Sequence, residues 1–119
     1  QDFAIAHMPD DEHDISKAPL TPSIVTQAMK AEGIDIWGLT RIERRVLAAI
    51  FQRFSAGRQT GIGVRAIAAA IGESHETVEH VLEPNLVRLG FVQRTERGRT
   101  LTDLGLEAAV REISGEVLY

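Results

Sequence analysis

The spacing of apolar residues changes near residue 91, and this change limits the folds open to the chain. Upstream of it, apolar residues recur at the three- and four-residue spacing of amphipathic helices. The clearest row is Ile42, Val46, Ala49, Ile50 and Phe54. Downstream, residues 91–95 alternate as in a strand, Glu96-Arg97-Gly98 is a turn sequence, and residues 99–102 resume the strand. A helical core followed by a β-hairpin is therefore predicted.

Start and stop signals divide the helical part into three helices. Thr40 and Glu43 have the spacing of a capping box, which predicts a helix from there to about residue 55. Ile62-Gly63-Val64 is a short extended piece, and an alanine-rich helix follows over 65–71, ended by Gly72. We expect its small residues to let the next helix cross closely; they are Ala66, Ala69 and Ala70.

The third helix begins at Ser74 as its N-cap and ends at Gly90. Its predicted buried side consists of Val78, Val81, Leu82, Leu86 and Leu89. Pro84 lacks a backbone N–H, so it should bend or break this helix near residues 81–83. The exposed side is expected to carry His75, Glu76, Glu79, His80 and Glu83. Such an acidic face does not suit base reading, which favours backbone and shape contact instead.

Weaker signals flank this region. Residues 1–8 have the pattern of a helix end stopped by Pro9, and 9–20 is an acidic loop. Thr21-Pro22 predicts a helix that ends at Gly33. The connector 34–38 should bury its apolar residues, with Trp37 as a hinge; they are Ile34, Ile36 and Trp37. The C-terminal row is Leu104, Ala108, Ile113 and Val117, weakened at its ends by Gly105 and Gly115.

The fold class that results is mainly α. It is a winged helix-turn-helix, a three-helix core plus a β-hairpin wing, with an N-terminal helical appendage. The predicted division is an appendage and linker over 1–37, the winged helix over 38–102 and a helical tail over 103–119. A winged helix binds DNA or only protein, so the fold does not decide the function.

Composition excludes several classes of protein. The 119 residues include no cysteine, so disulfide frameworks, thiolate metal sites and cysteine nucleophiles are excluded. No apolar run approaches the roughly 20 residues of a membrane span, and the N-terminus has no signal-peptide pattern. We expect no membrane association and a cytoplasmic protein. The first residue is not Met, which suggests a processed or excised piece.

The net charge of −4 hides a basic middle between acidic flanks. Residues 38–102 hold ten arginines and six acids, whereas 1–37 holds seven acids and two lysines. All the basic residues of the middle are arginines, which favours bidentate phosphate contacts. The predicted DNA-binding residues lie on the wing and are Arg94, Thr95, Arg97, Gly98 and Arg99. Alternatively, these charges only solvate the hairpin and resist edge pairing.

The ordered stretches of residues 38–102 resemble the C-terminal winged-helix domain of the RuvB family, ATP-driven motors of Holliday-junction branch migration. The stretches are Gly38-Leu39, 67–73 (IAAAIGE), 76–79 (ETVE), 81–84 (VLEP) with Leu86, 90–95 (GFVQRT) and 97–99 (RGR). Residues 1–37 resemble, more weakly, the end of that family's ATPase lid. Three positions depart from the family pattern: Thr40 replaces an acid, Asn85 an aromatic and Glu96 a proline.

The resemblance implies a DNA-holding module that grips the backbone of duplex DNA at a four-way junction without sequence specificity, in recombination, repair and the SOS response. The parent motor would be a homo-hexamer with a junction-recognition partner, and ATP and Mg would be bound elsewhere. No phosphate-binding loop with its lysine is present here, so no catalytic residue or cofactor is predicted for this chain.

Two other functions stay open. The acidic helix face, Glu96 and the negative total charge favour a protein-interaction module. A free-standing transcription regulator would need a dimerisation helix, which 103–119 could supply. Metal binding is not expected, because His75 and His80 are five residues apart on different helix faces, and neither His7 nor His13 lies in a ligand pattern.

Overall fold

The computed structural model describes residues 21–55 and 61–119. The predictions for residues 1–8 and 9–20 lie outside this part. These described residues divide into two compact units, 21–38 with Tyr119, and the described residues of 39–118.

Helix α1, Pro22–Ala31, has the predicted ends. The Ile24 N–H donates to the Thr21 hydroxyl at 3.2 Å, and Pro22 occupies the first turn. At the other end, Gly33 has a φ of +75°, and the Ile34 N–H donates back to the Met29 carbonyl. This is the Schellman ending expected of a C′ glycine.

The connector after α1 differs from its prediction. Ile34 and Trp37 are half-buried, whereas Ile36 is exposed and Asp35 is buried. The Gly38 N–H donates to the Asp35 carbonyl, and the Trp37 N–H donates to the Asp35 carboxylate at 3.0 Å. These bonds close a tight turn with Ile36 at its outer corner, which is why Ile36 is not buried.

Helix α2, Arg41–Ser55, begins at the predicted capping box. The Thr40 N–H donates to Glu43 Oε1 at 2.9 Å, and the Glu43 N–H donates to Thr40 Oγ1 at 3.3 Å. Three apolar residues of its face, Val46, Ala49 and Ile50, lie in the core, as predicted. Leu47 and Arg44 are buried as well, so more of the helix surface is covered than one apolar row.

Helix α3, Val64–Ile71, begins one residue earlier than predicted and ends at Gly72. Its buried residues are Ile67, Ala68 and Ile71. Ala69 and Ala70 are exposed, so they do not form the predicted crossing surface. Successive residues of a helix are rotated by about 100°, so Ala69 and Ala70 do not share the buried face formed by positions 67, 68 and 71. The small residue on that buried face is Ala68.

The third helix is continuous over residues 75–88 and has three parts: α4 (His75–Thr77), a π-helical turn (Val78–Leu82) and α5 (Glu83–Arg88). We call it the composite helix. Ser74 caps it, and the Glu83 N–H donates to the Val78 carbonyl five residues back. The predicted disturbance before Pro84 is thus a wider turn, not a break, and it relieves the crowding between a proline ring and the preceding turn.

The wider turn changes which side chains of the composite helix are buried. Val78, Leu82, Glu83 and Leu86 are buried, but Val81 is 63% exposed. Val81 was predicted to be buried and Glu83 to be exposed, and both predictions are wrong. The π-helical turn contains more residues than an α-helical turn, so each later side chain points in a different direction from the one that an α-helix would give it. Positions 82 and 83 therefore face the core, and position 81 does not.

The hairpin pairs β1 (Val92–Thr95) with β2 (Gly98–Leu101) in antiparallel register. Arg94 lies opposite Arg99, and a two-residue turn joins Thr95 to Gly98. Ile62 forms a bridge to Arg99 through two backbone hydrogen bonds of 3.0 and 2.8 Å. Of the predicted extended piece at 62–64, only Ile62 therefore pairs with β2, beside the two-stranded sheet, since Val64 already belongs to helix α3.

Helix α6, Asp103–Ser114, is capped by Thr102 and packs against α2. Its buried residues are Gly105, Ala108 and Ala109, whereas Ile113 is exposed. Arg44 Nε lies 2.9 Å from Glu112 Oε1, and the Arg44 side chain is almost fully buried. Helix α6 therefore shares a core with the three helices and the hairpin, which together form the predicted winged helix-turn-helix.

Candidate nucleic-acid interface

The two strand arginines of the wing lie on the inner face of the hairpin. Side chains alternate along a strand, so Arg94 shares a face with the buried Val92. Arg99 pairs with Arg94 in the register and lies on the same face. Both side chains therefore point to the composite helix, which carries the carboxylate that they contact.

That carboxylate belongs to Glu83, whose side chain is 3% exposed. Arg99 donates to both of its oxygens, from Nε to Oε2 and from Nη2 to Oε1, the latter at 3.0 Å. Arg94 Nη2 lies 3.2 Å from Oε1. One buried carboxylate thus holds two guanidinium groups, and it fixes Arg99 by a bidentate contact.

The two guanidinium groups differ in their access to solvent. The Arg99 side chain is 19% exposed, and the Arg94 side chain is 52% exposed. Arg94 is therefore accessible to a ligand, while Arg99 is largely committed to Glu83. Among the described residues, the three arginines predicted to grip phosphate thus separate into Arg99, held internally, Arg94, shared with solvent, and Arg97, which has no ion-pair partner.

Arg97 is the free cation. It lies in the two-residue turn beside Glu96, and both residues are exposed. The Arg97 side chain forms no ion pair with any residue in the described ranges 21–55 and 61–119. This guanidinium lies at the hairpin tip, where a phosphate could approach it without displacing a partner from the described part of the chain.

Thr95 and Gly98 shape the turn. The Thr95 hydroxyl donates to the Gly98 carbonyl at 3.0 Å and accepts from the Arg97 N–H at 3.3 Å. Gly98 has a φ of +127°, and a Cβ there would lie 2.6 Å from the Ile62 carbonyl oxygen. Both residues therefore position Arg97, and the Thr95 hydroxyl is already engaged within the protein.

Glu83 is the functional candidate that the sequence interpretation missed. It was placed on an exposed acidic face with Glu76 and Glu79, and only those two are exposed. The available signal was the register of the hairpin, which puts Arg94 and Arg99 side by side. Like charges directly opposite destabilise a strand pair, which favours a carboxylate nearby.

The described part of the chain, which does not include His7 and His13, contains no group of three or more His, Asp or Glu residues arranged to hold a metal ion. Within the same residues, no helix combines the length and apolar character needed to cross a bilayer.

Comparison with known proteins decides the family. Residues 36–109 match the family model described as the RuvB C-terminal winged helix domain. The chain belongs to this family. The resemblance inferred from the sequence is thereby confirmed, and the match extends into α6.

Individual RuvB proteins agree with this assignment. The chain is 42% identical over 102 residues to the Holliday junction branch migration complex subunit RuvB of Tropheryma whipplei (strain TW08/27), covering 84% of this chain and 29% of that protein. It is 42% identical over 108 residues to the protein of the same name from Cutibacterium acnes, covering 87% of this chain and 30% of that protein.

A solved RuvB structure agrees as well. The Thermotoga maritima RuvB Holliday junction branch migration motor matches with a TM-score of 0.68 at 32% identity, over 82% of this chain and 32% of that one. A point mutant of the same Thermotoga maritima protein gives the same values. The chain thus spans about 30% of the length of the curated RuvB relatives that it matches.

Two departures from the RuvB pattern meet in one network. Glu43 Oε1 accepts from Thr40, and Glu43 Oε2 accepts from Asn85 Nδ2 at 2.7 Å. Asn85 in turn accepts from Arg88. The polar residues at 40 and 85 therefore satisfy one buried carboxylate between α2 and the composite helix. The third departure, Glu96, lies on the wing tip and takes no part in this network.

Proposed function

We propose that this chain grips duplex DNA by its sugar-phosphate backbone, without reading base sequence, as the winged-helix module of a RuvB-type branch-migration motor. The observation that carries the proposal is the exposed Arg97 guanidinium at the hairpin tip, next to the half-exposed Arg94. A planar guanidinium suits bidentate contact with phosphate oxygens, and such contacts fix position without reading bases.

The proposed grip assigns different roles to the wing residues. Arg97 makes the primary phosphate contact and Arg94 the second. Arg99, held by Glu83, supports the hairpin. Thr95 and Gly98 keep the turn in the shape that presents Arg97. The composite helix offers Glu76 and Glu79 to solvent, which disfavours base reading by that helix.

The wider setting is proposed from the named relatives. They are RuvB subunits of Holliday junction branch migration complexes, so the proposed DNA is a four-way junction and the proposed process is recombination and repair. The proposed motor is a homo-hexamer with a junction-recognition partner. Other parts of the proposed motor would bind its ATP and Mg and would hydrolyse the ATP.

The test is a titration of four-way junction and linear duplex DNA with the R97A variant, over a range of salt concentrations. Loss of one phosphate contact should weaken binding about tenfold at low salt. The slope of log K against log salt should become shallower by about 0.9. Fluorescence anisotropy of a labelled DNA measures both quantities.

R41A is the matched control, because Arg41 is exposed on α2 and forms no ion pair with the residues that the structure describes. It removes the same charge away from the wing, so the salt slope should not change. Equal affinity and equal slope for wild type, R97A and the triple variant R94A/R97A/R99A would contradict the proposal.

A protein-interaction or self-association role is the second candidate, and one surface favours it. Leu106, Val110 and Ile113 follow one another at helical spacing on α6 and are exposed. Buried Glu83, however, removes one of the three acids that suggested an acidic docking face. Sedimentation that shows a stable, salt-insensitive dimer, with no binding to either DNA at low salt, would favour this role or that of a dimeric transcription regulator.

A further inference from the structure

Glu83 holds the two strand arginines unequally, and this inequality has a consequence for DNA binding. Arg99 contacts both carboxylate oxygens, whereas Arg94 contacts only Oε1, at 3.2 Å. Glu83 and Arg99 are mostly buried, but about half of the Arg94 side chain is exposed. The weaker of the two contacts therefore belongs to the cation that a ligand can reach.

The register explains why one carboxylate serves two cations. Arg94 and Arg99 lie directly opposite each other on adjacent strands, where their like charges repel. The Glu83 side chain extends from the composite helix to the strands, and its carboxylate offsets one of the two positive charges. A phosphate that arrived at Arg94 would offset the second charge.

We propose that Glu83 is an internal competitor for phosphate. Arg94 exchanges Glu83 for a DNA phosphate on binding, while Arg99 stays on Glu83 and keeps the hairpin in place. This inference rests on the proposed function. Glu83 is thus a positioning residue that limits the strength of the grip, because each Arg94–phosphate contact forms at the expense of an Arg94–Glu83 contact. A weak, exchangeable grip suits a protein that must release and rebind DNA.

The E83Q variant tests the competition, because glutamine keeps the size and an oxygen acceptor but loses the charge. We expect a three- to tenfold increase in affinity for duplex DNA at a fixed low salt concentration, because Arg94 no longer has to leave a carboxylate. The matched control is E79Q, which makes the same change of charge four residues earlier on the same helix. Glu79 is exposed and forms no ion pair with any described residue, so E79Q should raise affinity less than twofold.

Arg94 must mediate the effect. In an R94A background, E83Q should raise affinity no more than E79Q does. An increase that persists without Arg94, an equal increase in E83Q and E79Q, or a decrease in E83Q would each overturn the inference. A failure of the proposed function looks different, since the wild type would then bind no DNA and R97A would change nothing.

A measurement on the unmodified chain covers the case in which E83Q fails to fold. The guanidinium N–H signals of the two arginines in a ¹⁵N NMR spectrum report their contacts with Glu83, which Arg94 makes through Nη2 and Arg99 through Nε and Nη2. On titration with duplex DNA, the Arg94 signal should shift and that of Arg99 should stay in place. Bound DNA with an unchanged Arg94 signal, or with both signals shifted alike, would overturn the exchange.

Discussion

At the scale of single residues, Gly105 shows how a close backbone contact selects the smallest side chain. It lies in the first turn of α6, and a Cβ there would lie 2.0 Å from the Phe91 carbonyl oxygen. The G105A variant must push α6 away from the hairpin, so we expect a loss of about 2–3 kcal/mol in the free energy of unfolding. Thermal and denaturant unfolding followed by circular dichroism measure the change.

G63A is the control for that prediction. Gly63 has an ordinary negative φ, and nothing lies within 4 Å of a Cβ built on it. We expect its free energy of unfolding to stay within about 0.5 kcal/mol of the wild type. Equal stability of the G105A variant and the wild type would show that α6 does not depend on this contact.

The residue scale is also where prediction from sequence was least complete. The arginines of the wing and the glycine of its turn could be placed, because turn chemistry is local. Their partners could not, because the Glu83 contacts join positions 11 and 16 residues apart and depend on the rotation of the composite helix. Gly105 was similarly interpreted as a weak point of a helix, since helix propensity carries no information on a contact with Phe91.

At the scale of elements, local signals predicted helix ends well and helix faces less well. The capping box at Thr40 and the terminal glycines Gly33 and Gly72 end their helices where expected. These signals act within one turn of backbone. The buried face of the composite helix depends on the π-helical turn, and an α-helical wheel misplaces Val81 and Glu83. The error is thus one of periodicity, not of element type.

The contact between α6 and α2 gives a prediction at this scale. Glu112 pairs with Arg44, which is 3% exposed, whereas Glu107 pairs with Arg111 on the surface at 3.4 Å. E112A leaves a buried guanidinium with fewer acceptors, so we expect a loss of about 2–3 kcal/mol in the free energy of unfolding. E107A removes an exposed pair of the same helix and should cost less than about 0.5 kcal/mol.

Chemical denaturation of the two variants measures both values. E112Q, which keeps an oxygen acceptor, should recover part of the loss. If E112A and E107A lower the stability equally, the Arg44–Glu112 pair does not tie α6 to the core. The result also tests the predicted boundary at residue 102. If α6 stabilises the core, residues 103–114 belong to the winged-helix domain and not to a separate tail.

At the scale of the whole molecule, charge is distributed so that attraction to DNA is local. The net charge is −4, yet ten of the arginines lie within residues 38–102. Acidic flanks oppose long-range steering of DNA, and screening removes most of it beyond about 8 Å at physiological salt. Binding must therefore depend on the few cations that touch phosphate, which are Arg97 and Arg94 in the proposed grip.

This distribution makes a quantitative prediction for the whole chain. Two phosphate contacts correspond to a slope of about −1.8 in log K against log salt, shallow for a DNA-binding protein. Because the exposed acids of the composite helix do not favour base reading, duplexes of unrelated sequence should bind within about threefold of one another. Anisotropy titrations with two unrelated duplexes at several salt concentrations measure both quantities.

The R94A/R97A variant should bring the slope close to zero on either duplex. A preference above tenfold for one duplex would show that bases are read, and a steep slope that survives in R94A/R97A would place the phosphate contacts outside the wing.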